Sequence, residues 1–142
     1  MKNTTTYDGA GKITDITATN TSATVLAKRA YTYTLNGAKD GGQRKTMTTD
    51  TGAVMTYGYD AMKRLTSAVT GTVTESWTYD ANSNRLTAAK TGTATSYSTY
   101  NAADQLCWYG PTNGNCPTPT TGASKYSYDA TATSSMAAPP QT

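Results

Sequence analysis

The acidic side chains are the first candidates for chemistry in this chain of 142 residues, which contains no histidine. Without histidine the common catalytic triads are excluded, and so are most zinc sites. Two carboxylates can flank a sugar in a glycosidase, as Glu75 with Asp80 or Asp60 would, but nothing singles out one pair. Residues at alternate strand positions more often form a solvated face. The sequence therefore predicts no catalytic residue, no metal site and no cofactor, and we expect a protein that is not an enzyme.

Cys107 and Cys116 are the two cysteines, and they bracket the loop WYGPTNGN. A short gap rich in Gly, Pro and Asn places them well for a disulfide, which is typical of an oxidising location outside the cell. The alternative is two free thiols, because spacing alone does not fix disulfide geometry. With the disulfide we expect a secreted or cell-surface protein.

The composition favours β-structure with polar faces. The chain has 32 threonines and 11 tyrosines but no phenylalanine, so almost every aromatic ring carries a hydroxyl group. Thr and Tyr favour pleated, half-wet surfaces. The aromatic content and a net charge of only +3 argue against a disordered chain, although 36% hydrophobic residues is a thin supply for a core.

Three classes of partner or location are disfavoured by charge and hydropathy. The twelve Lys and Arg residues are spread along the chain, so a nucleic-acid partner is not expected. No apolar run approaches the roughly 20 residues of a membrane span. The N-terminal sequence MKNTTTYDGAGK lacks the apolar stretch of a signal peptide, so an export address would lie outside this chain or be of another type.

A short motif recurs along the chain. Aligned on a Tyr-Asp position, its six copies start at Tyr7, Tyr33, Tyr59, Tyr79, Tyr100 and Tyr128, with spacings of 26, 26, 20, 21 and 28 residues. The second and sixth copies are degenerate. After the Tyr-Asp position come a few small residues and then a polar-apolar pair, which is Lys12-Ile13, Arg64-Leu65, Arg85-Leu86 or Gln105-Leu106. The fourth copy has one extra residue before its arginine, which predicts a longer turn or a bulge.

Each copy is interpreted as a β-hairpin. Met55, Tyr57 and Tyr59 share one parity and therefore one face of a strand. Asp60 then begins a turn, in which its carboxylate accepts backbone N–H bonds. A second strand carries Leu65, and Thr70-Gly71-Thr72 supplies the next turn. The sequence therefore predicts an all-β, antiparallel hairpin meander.

The recurring residues have structural roles in this interpretation. A two-stranded hairpin cannot bury a face alone, so it must pack on copies of itself with the same side chains at the same places. Tyr and Leu then form a ladder, Asp supplies the turn, and Arg reaches a carboxylate or a Tyr ring of a neighbouring copy. The predicted structural residues are Tyr7, Asp8, Tyr59, Asp60, Arg64, Leu65, Trp77, Tyr79, Asp80, Arg85, Leu86, Tyr100, Leu106, Tyr128 and Asp129.

The segments YDGAGKI, YDAMKRL and YDANSNRL resemble YD repeats, the unit of bacterial Rhs proteins, Tc-toxin shell components and teneurins. The stretch DQLCWYGPTNGNCPTPTTGASKYSYDA resembles a Cys-containing segment between repeats of Rhs-type proteins. The resemblance implies stacked hairpins in an open strip or in part of a hollow shell that spirals around a C-terminal toxin. It predicts a repeat region over residues 1–130 and a Pro/Ala/Ser/Thr-rich tail or linker over residues 131–142.

This sequence departs from the family pattern in two respects. The glycine that precedes the arginine in the family occurs only as Gly11, and Lys63 and Asn84 hold its place in later copies. No Asp-Pro occurs, so the core segment with its self-cleavage motif is absent, as is the variable toxin tip. We expect a stretch of repeats and not a complete toxin.

Three functions fit these observations. The first is a structural part of a secreted or surface shell that encloses or displays a toxin or other cargo. The second is a carbohydrate-binding module, with Trp77 or Trp108 as the glycan contact. The third is a subunit of a self-assembling extracellular filament. In the first and third, the expected partners are further YD repeats that pair by strand addition.

Overall fold

The computed structural model describes residues 1–36, 39–128 and 134–136, and every regular element in these ranges is a β-strand. The chain divides into two compact units, Met1–Thr74 and Glu75–Thr142. Both are built from antiparallel strands joined in sequence order. The prediction of an all-β, antiparallel hairpin meander is confirmed.

The first unit contains six strands, each paired with the next along the chain. They are β1 (Lys2–Tyr7), β2 (Ile13–Thr19), β3 (Val25–Asn36), β4 (Lys39–Thr49), β5 (Val54–Tyr59) and β6 (Leu65–Thr70).

The second unit continues the pattern from β7, which begins just before the boundary between the units. Its strands are β7 (Val73–Tyr79), β8 (Arg85–Lys90), β9 (Ser96–Tyr100), β10 (Leu106–Gly110), β11 (Ser124–Tyr128) and β12 (Ser134–Met136). Consecutive strands again pair antiparallel. Strand β12, which pairs with β11, lies within the segment predicted as a tail or linker.

The two faces of the first unit differ in chemistry because strand side chains alternate and the register aligns like with like. On the tyrosine face, Tyr31 lies opposite Met47, which in turn lies opposite Met55. On the threonine face, the Thr32 and Thr46 hydroxyl oxygens are 2.6 Å apart. Threonine thus bonds across strands on one side, while aromatic and aliphatic side chains pack on the other.

Little of the described chain forms a closed core. Among the described residues, the buried hydrophobic side chains are Ala68, which is 7% exposed, and Trp108, which is 1% exposed. Most other strand residues are half-buried or exposed. Stability must therefore come mainly from backbone ladders and cross-strand side-chain pairs.

Candidate functional site

The turn after each Tyr-Asp is the most regular feature of the structure. In the third copy the Asp60 N–H donates to the Arg64 carbonyl at 3.0 Å, and the Lys63 N–H donates to the Asp60 carbonyl at 2.9 Å. Asp60 Oδ1 accepts the Arg64 N–H at 2.9 Å. The aspartate therefore closes its own turn with both backbone and side chain, as short polar side chains do in Asx turns.

The same pair of backbone bonds recurs at six positions. These turns begin at Asp8, Asn20, Thr49, Asp60, Asp80 and Asn101. Asn20 and Asn101 use their amide oxygens as the aspartates use their carboxylates. The turns at Asn20 and Thr49 join β2 to β3 and β4 to β5, and they were not predicted because no tyrosine precedes them. An Asn or Thr followed five residues later by the first residue of the next strand is the signal that was available.

The fourth residue of each of these turns has a left-handed backbone. The φ values are 77° at Gly11, 61° at Ala23, 82° at Gly52, 65° at Lys63, 73° at Ser83 and 58° at Asp104. Glycine adopts this conformation without a steric cost, whereas a residue with a Cβ atom is strained there. In the fourth copy the left-handed residue is Ser83. The sequence-based assignment of Asn84 to the family's glycine position was therefore wrong.

The fourth copy does not have a longer turn. The Asp80 N–H donates to the Asn84 carbonyl at 3.0 Å, which is the same separation as in the other copies. Asn84 therefore takes the place that Arg64 holds in the third copy, and Arg85 lies opposite Tyr79 where Leu65 lies opposite Tyr59. Of the two predicted alternatives, the longer turn was wrong, because the copies were aligned on the Arg-Leu pair and not on the distance from the tyrosine. A bulge is present, at Leu86, but the other clear copies have one at the same place.

In the first, third, fourth and fifth copies a β-bulge follows the turn. Tyr59 pairs with Leu65, but Gly58 pairs with Ser67, so the residue between them is left without a partner in the register. The bulged residues are Thr14, Thr66, Leu86 and Cys107. Leu86 is 37% exposed, so it does not take the half-buried place that Leu65 has.

Tyrosine hydroxyl groups tie successive hairpins together. The Tyr59 hydroxyl donates to the carbonyl of Arg44 at 2.9 Å, and Arg44 lies opposite Tyr33 of the preceding hairpin. The other bonds of this kind are Tyr33 to Ile13 at 2.7 Å, Tyr100 to Arg85 at 3.3 Å and Tyr128 to Leu106 at 3.0 Å. Each acceptor is the residue opposite the preceding tyrosine, next to the bulge. We call this series the tyrosine ladder; at these four positions phenylalanine could not form the bond.

The charged residues of the turns act mainly within their own copy. The backbone N–H of Arg64 lowers the pKa of the Asp60 carboxyl group, and the Arg64 guanidinium adds to this at 2.7 Å. The backbone N–H of Lys12 likewise lowers the pKa of Asp8. The Lys12 ammonium also lies 4.8 Å from the ring centre of Tyr33 in the next copy. The predicted contact with a neighbouring copy was assigned to the arginine, but the carboxylate that Arg64 reaches is Asp60 of its own copy.

Asparagine side chains link the fourth and fifth turns. The Asn84 amide donates to Asp80 at 2.9 Å and to Asp104 at 2.7 Å. The Asn82 amide also donates to Asp104, at 2.9 Å. The carboxylates of this region therefore serve as hydrogen-bond acceptors between neighbouring turns.

The carboxylates considered for glycoside hydrolysis have structural partners. Glu75 forms an ion pair with Lys90 at 2.9 Å, and Asp80 accepts the Asn84 N–H at 2.8 Å. Within residues 1–36, 39–128 and 134–136 there is no group of three or more His, Cys, Asp or Glu side chains that could hold a metal ion. Nor does this part of the chain contain a helix that could cross a membrane.

A disulfide joins Cys107 and Cys116, whose Cα atoms are 5.9 Å apart. The loop that it closes covers the indole ring of Trp108. The Trp108 Nε1–H donates to the Asn115 carbonyl at 3.5 Å, and a Cβ atom on Gly114 would lie 2.9 Å from the ring. Glycine is therefore required where the loop crosses the ring.

The two tryptophans have different surroundings. Trp108 is 1% exposed, so the prediction that its ring contacts a glycan was wrong. Trp77 is half-buried and lies opposite Ala88 beside a shallow concavity. Tyr7 is 61% exposed at the end of β1, opposite Ile13. Asp129 lies outside the described residues.

Comparison with known proteins agrees with this geometry. The sequence model of the family described as Teneurin YD-shell matches residues 1–132. A chain in the crystal structure of TcdB2-TccC3-Cdc42 has a similar fold, with a TM-score of 0.67 and 19% sequence identity over 89% of this chain. The match spans 8% of that much longer chain. No curated protein matches the sequence.

The family match covers the whole predicted repeat region, residues 1–130, and the described hairpins have the turn, bulge and tyrosine ladder in several copies. The resemblance to the Rhs/YD-repeat family is thus confirmed, and it supports a structural role of the shell type. The chain belongs to the teneurin YD-shell family.

Proposed function

We propose that this chain is a stretch of shell wall, a non-enzymatic repeat protein that helps to enclose or display a toxin or other cargo outside the cell. The tyrosine ladder is the observation that carries this proposal. At Tyr33, Tyr59, Tyr100 and Tyr128 the preceding hairpin offers a backbone carbonyl to the tyrosine, so hairpins can be added one after another with the same contacts. The disulfide between Cys107 and Cys116 supports an oxidising, extracellular location.

The proposed partners are further YD repeats, of the same protein or of other copies, that pair by strand addition. Among the described strands, β1 pairs only with β2. All six β1 residues are exposed, and Lys2 is the single charged residue among them. Natural edge strands are usually protected by charge, proline or a bulge. An edge with so little protection favours pairing with another strand.

Sedimentation velocity and electron microscopy of the 142-residue chain test this proposal. We expect association that increases with concentration in the tens of micromolar range. Thr4→Lys, which places a charge on β1, should weaken it, whereas Thr21→Lys in the turn before β3 should not. A stable monomer with protected amides in β1 would contradict the proposal. Regular open filaments in place of short assemblies would support the filament alternative.

A second candidate, carbohydrate binding, rests on the surroundings of Trp77. A concavity of about 270 Å³ is lined by Trp77 together with Glu75, Lys90, Thr93 and Ser96. An aromatic face beside hydrogen-bonding side chains is a suitable surface for a sugar ring. Glycan-array binding that Trp77→Ala abolishes, and Tyr109→Ala on an exposed ring of the same unit preserves, would support it. Binding that is equal in both variants would exclude this site.

A further inference from the structure

A larger concavity of about 460 Å³ lies beside the disulfide in the second unit. Its apolar lining includes the Cys107–Cys116 disulfide, Trp108, Pro117 and Pro119. A volume of this size is in the usual range of small-molecule sites, which are mostly apolar with a few polar groups that fix orientation. The disulfide that closes the loop over Trp108 therefore also lines a cavity.

The polar groups of this cavity favour a negatively charged guest. Among its described lining residues there is no carboxylate. Lys125 lies opposite Trp108 in the pairing of β10 with β11, so its ammonium group and the indole ring share one face. Its side chain is exposed and forms no ion pair within the described residues.

Gln105 supplies a second donor. Its Oε1 atom accepts a hydrogen bond from the Asn101 amide at 2.9 Å. This bond fixes the orientation of the Gln105 amide, whose NH₂ group can only donate. The cavity therefore combines apolar walls with an ammonium group and an amide donor.

We propose that this cavity binds a small molecule that has an apolar ring and a carboxylate group. The ring packs against Pro117, Pro119 and the disulfide, and the carboxylate accepts hydrogen bonds from Lys125 and Gln105. This function is separate from the structural role proposed above, and a shell wall that binds no such molecule remains a shell wall.

Titration with 3-phenylpropionate, followed by the two tryptophan indole N–H signals in NMR, tests the proposal. The Trp108 signal should shift and saturate, because Trp108 borders the cavity although its ring is buried. The Trp77 signal should not move, since that ring lies beside a different concavity. Equal shifts of both signals, or none that saturates, would overturn the proposal.

Lys125→Gln should weaken binding about tenfold or more, as expected for one charge-assisted hydrogen bond. Lys45→Gln, the same change on an exposed lysine of the first unit, should leave the affinity unaltered. The neutral analogue 3-phenylpropionamide should bind the native protein more weakly than the acid, and Lys125→Gln should remove that preference. An acid and an amide that bind the native protein equally well would show that the cavity does not recognise the charge.

Discussion

The hydroxyl group of Tyr33 donates a hydrogen bond to the carbonyl oxygen of Ile13 at 2.7 Å, and Ile13 lies opposite Tyr7. One residue type thus performs two tasks, because the ring packs on its own strand while the hydroxyl group reaches the preceding hairpin. The β-bulge beside Ile13 interrupts the backbone hydrogen bonds between β1 and β2, and the Tyr33 hydroxyl group supplies a donor there.

Tyr33→Phe and Tyr59→Phe should each lower the free energy of unfolding by about 1 kcal/mol, because the rings remain and one hydrogen bond is lost. Urea unfolding followed by circular dichroism measures this. Tyr7→Phe is the matched control, since Tyr7 holds the same position in the first copy and is largely exposed. If Tyr59→Phe lowers the free energy of unfolding no more than Tyr7→Phe does, the tyrosine ladder does not stabilise the sheet.

Lys63→Gly should stabilise the protein by roughly 0.5 to 1 kcal/mol. Relief of the left-handed strain at φ 65° exceeds the entropy cost of an added glycine. Met62→Gly in the same turn should instead destabilise by about 0.5 to 1 kcal/mol. If thermal unfolding shows both glycines to be destabilising, the left-handed backbone is not where this turn stores strain.

Asp8 and Asp60 should make the protein sensitive to acid. Backbone N–H groups lower the pKa of both carboxyl groups in the folded state. Their contribution to stability is therefore present above the unfolded pKa and is lost as the pH falls through the folded pKa. Melting temperatures measured from about pH 6 to about pH 2 should fall less steeply in the Asp8→Asn, Asp60→Asn double variant.

The double variant is a fair comparison because Asn20 and Asn101 already close the same turn with an amide oxygen. At neutral pH it should remain folded, with the ion pair between Arg64 and Asp60 lost. A double variant with the full acid sensitivity of the native protein would place the relevant titration elsewhere.

Leu65 and Leu86 should respond differently to the same substitution. Leu65 is half-buried opposite Tyr59, so Leu65→Ala should cost about 1 to 2 kcal/mol, less than a fully buried leucine. Leu86 is 37% exposed at the bulge, and Leu86→Ala should cost less than about 0.5 kcal/mol. If chemical denaturation shows that both substitutions lower the free energy of unfolding equally, then Leu86 occupies the same structural position as Leu65.

Reduction of the disulfide should destabilise the second unit. Closing a loop between residues 107 and 116 stabilises by roughly 2 to 3 kcal/mol in the chain-entropy model. Trp108 should become more exposed, which fluorescence emission at longer wavelength would report. Mass spectrometry that finds two alkylatable thiols in material purified without reductant would contradict the bonded state.

The parts that could be predicted from sequence are those with local causes. The Asp60 turn follows from the short carboxylate itself, and the shared face of Met55 and Tyr57 follows from strand periodicity. The acceptor of the Tyr59 hydroxyl group could not be predicted. The Arg44 carbonyl lies within its reach only because of the register in which β3, β4 and β5 pair. The burial of Trp108 likewise depends on a loop that returns across it.

The meander also determines how the chain would respond to a pulling force. Neighbouring strands are joined by short turns. Tension on the two ends would therefore break the backbone hydrogen bonds between two strands one pair at a time, instead of breaking many pairs together in shear. The bond between Cys107 and Cys116 removes the eight residues between them from the extensible length, which is about 28 Å of fully stretched chain. A series of such hairpins would yield in small successive steps under load, and only the loop closed by the disulfide would be kept from extending.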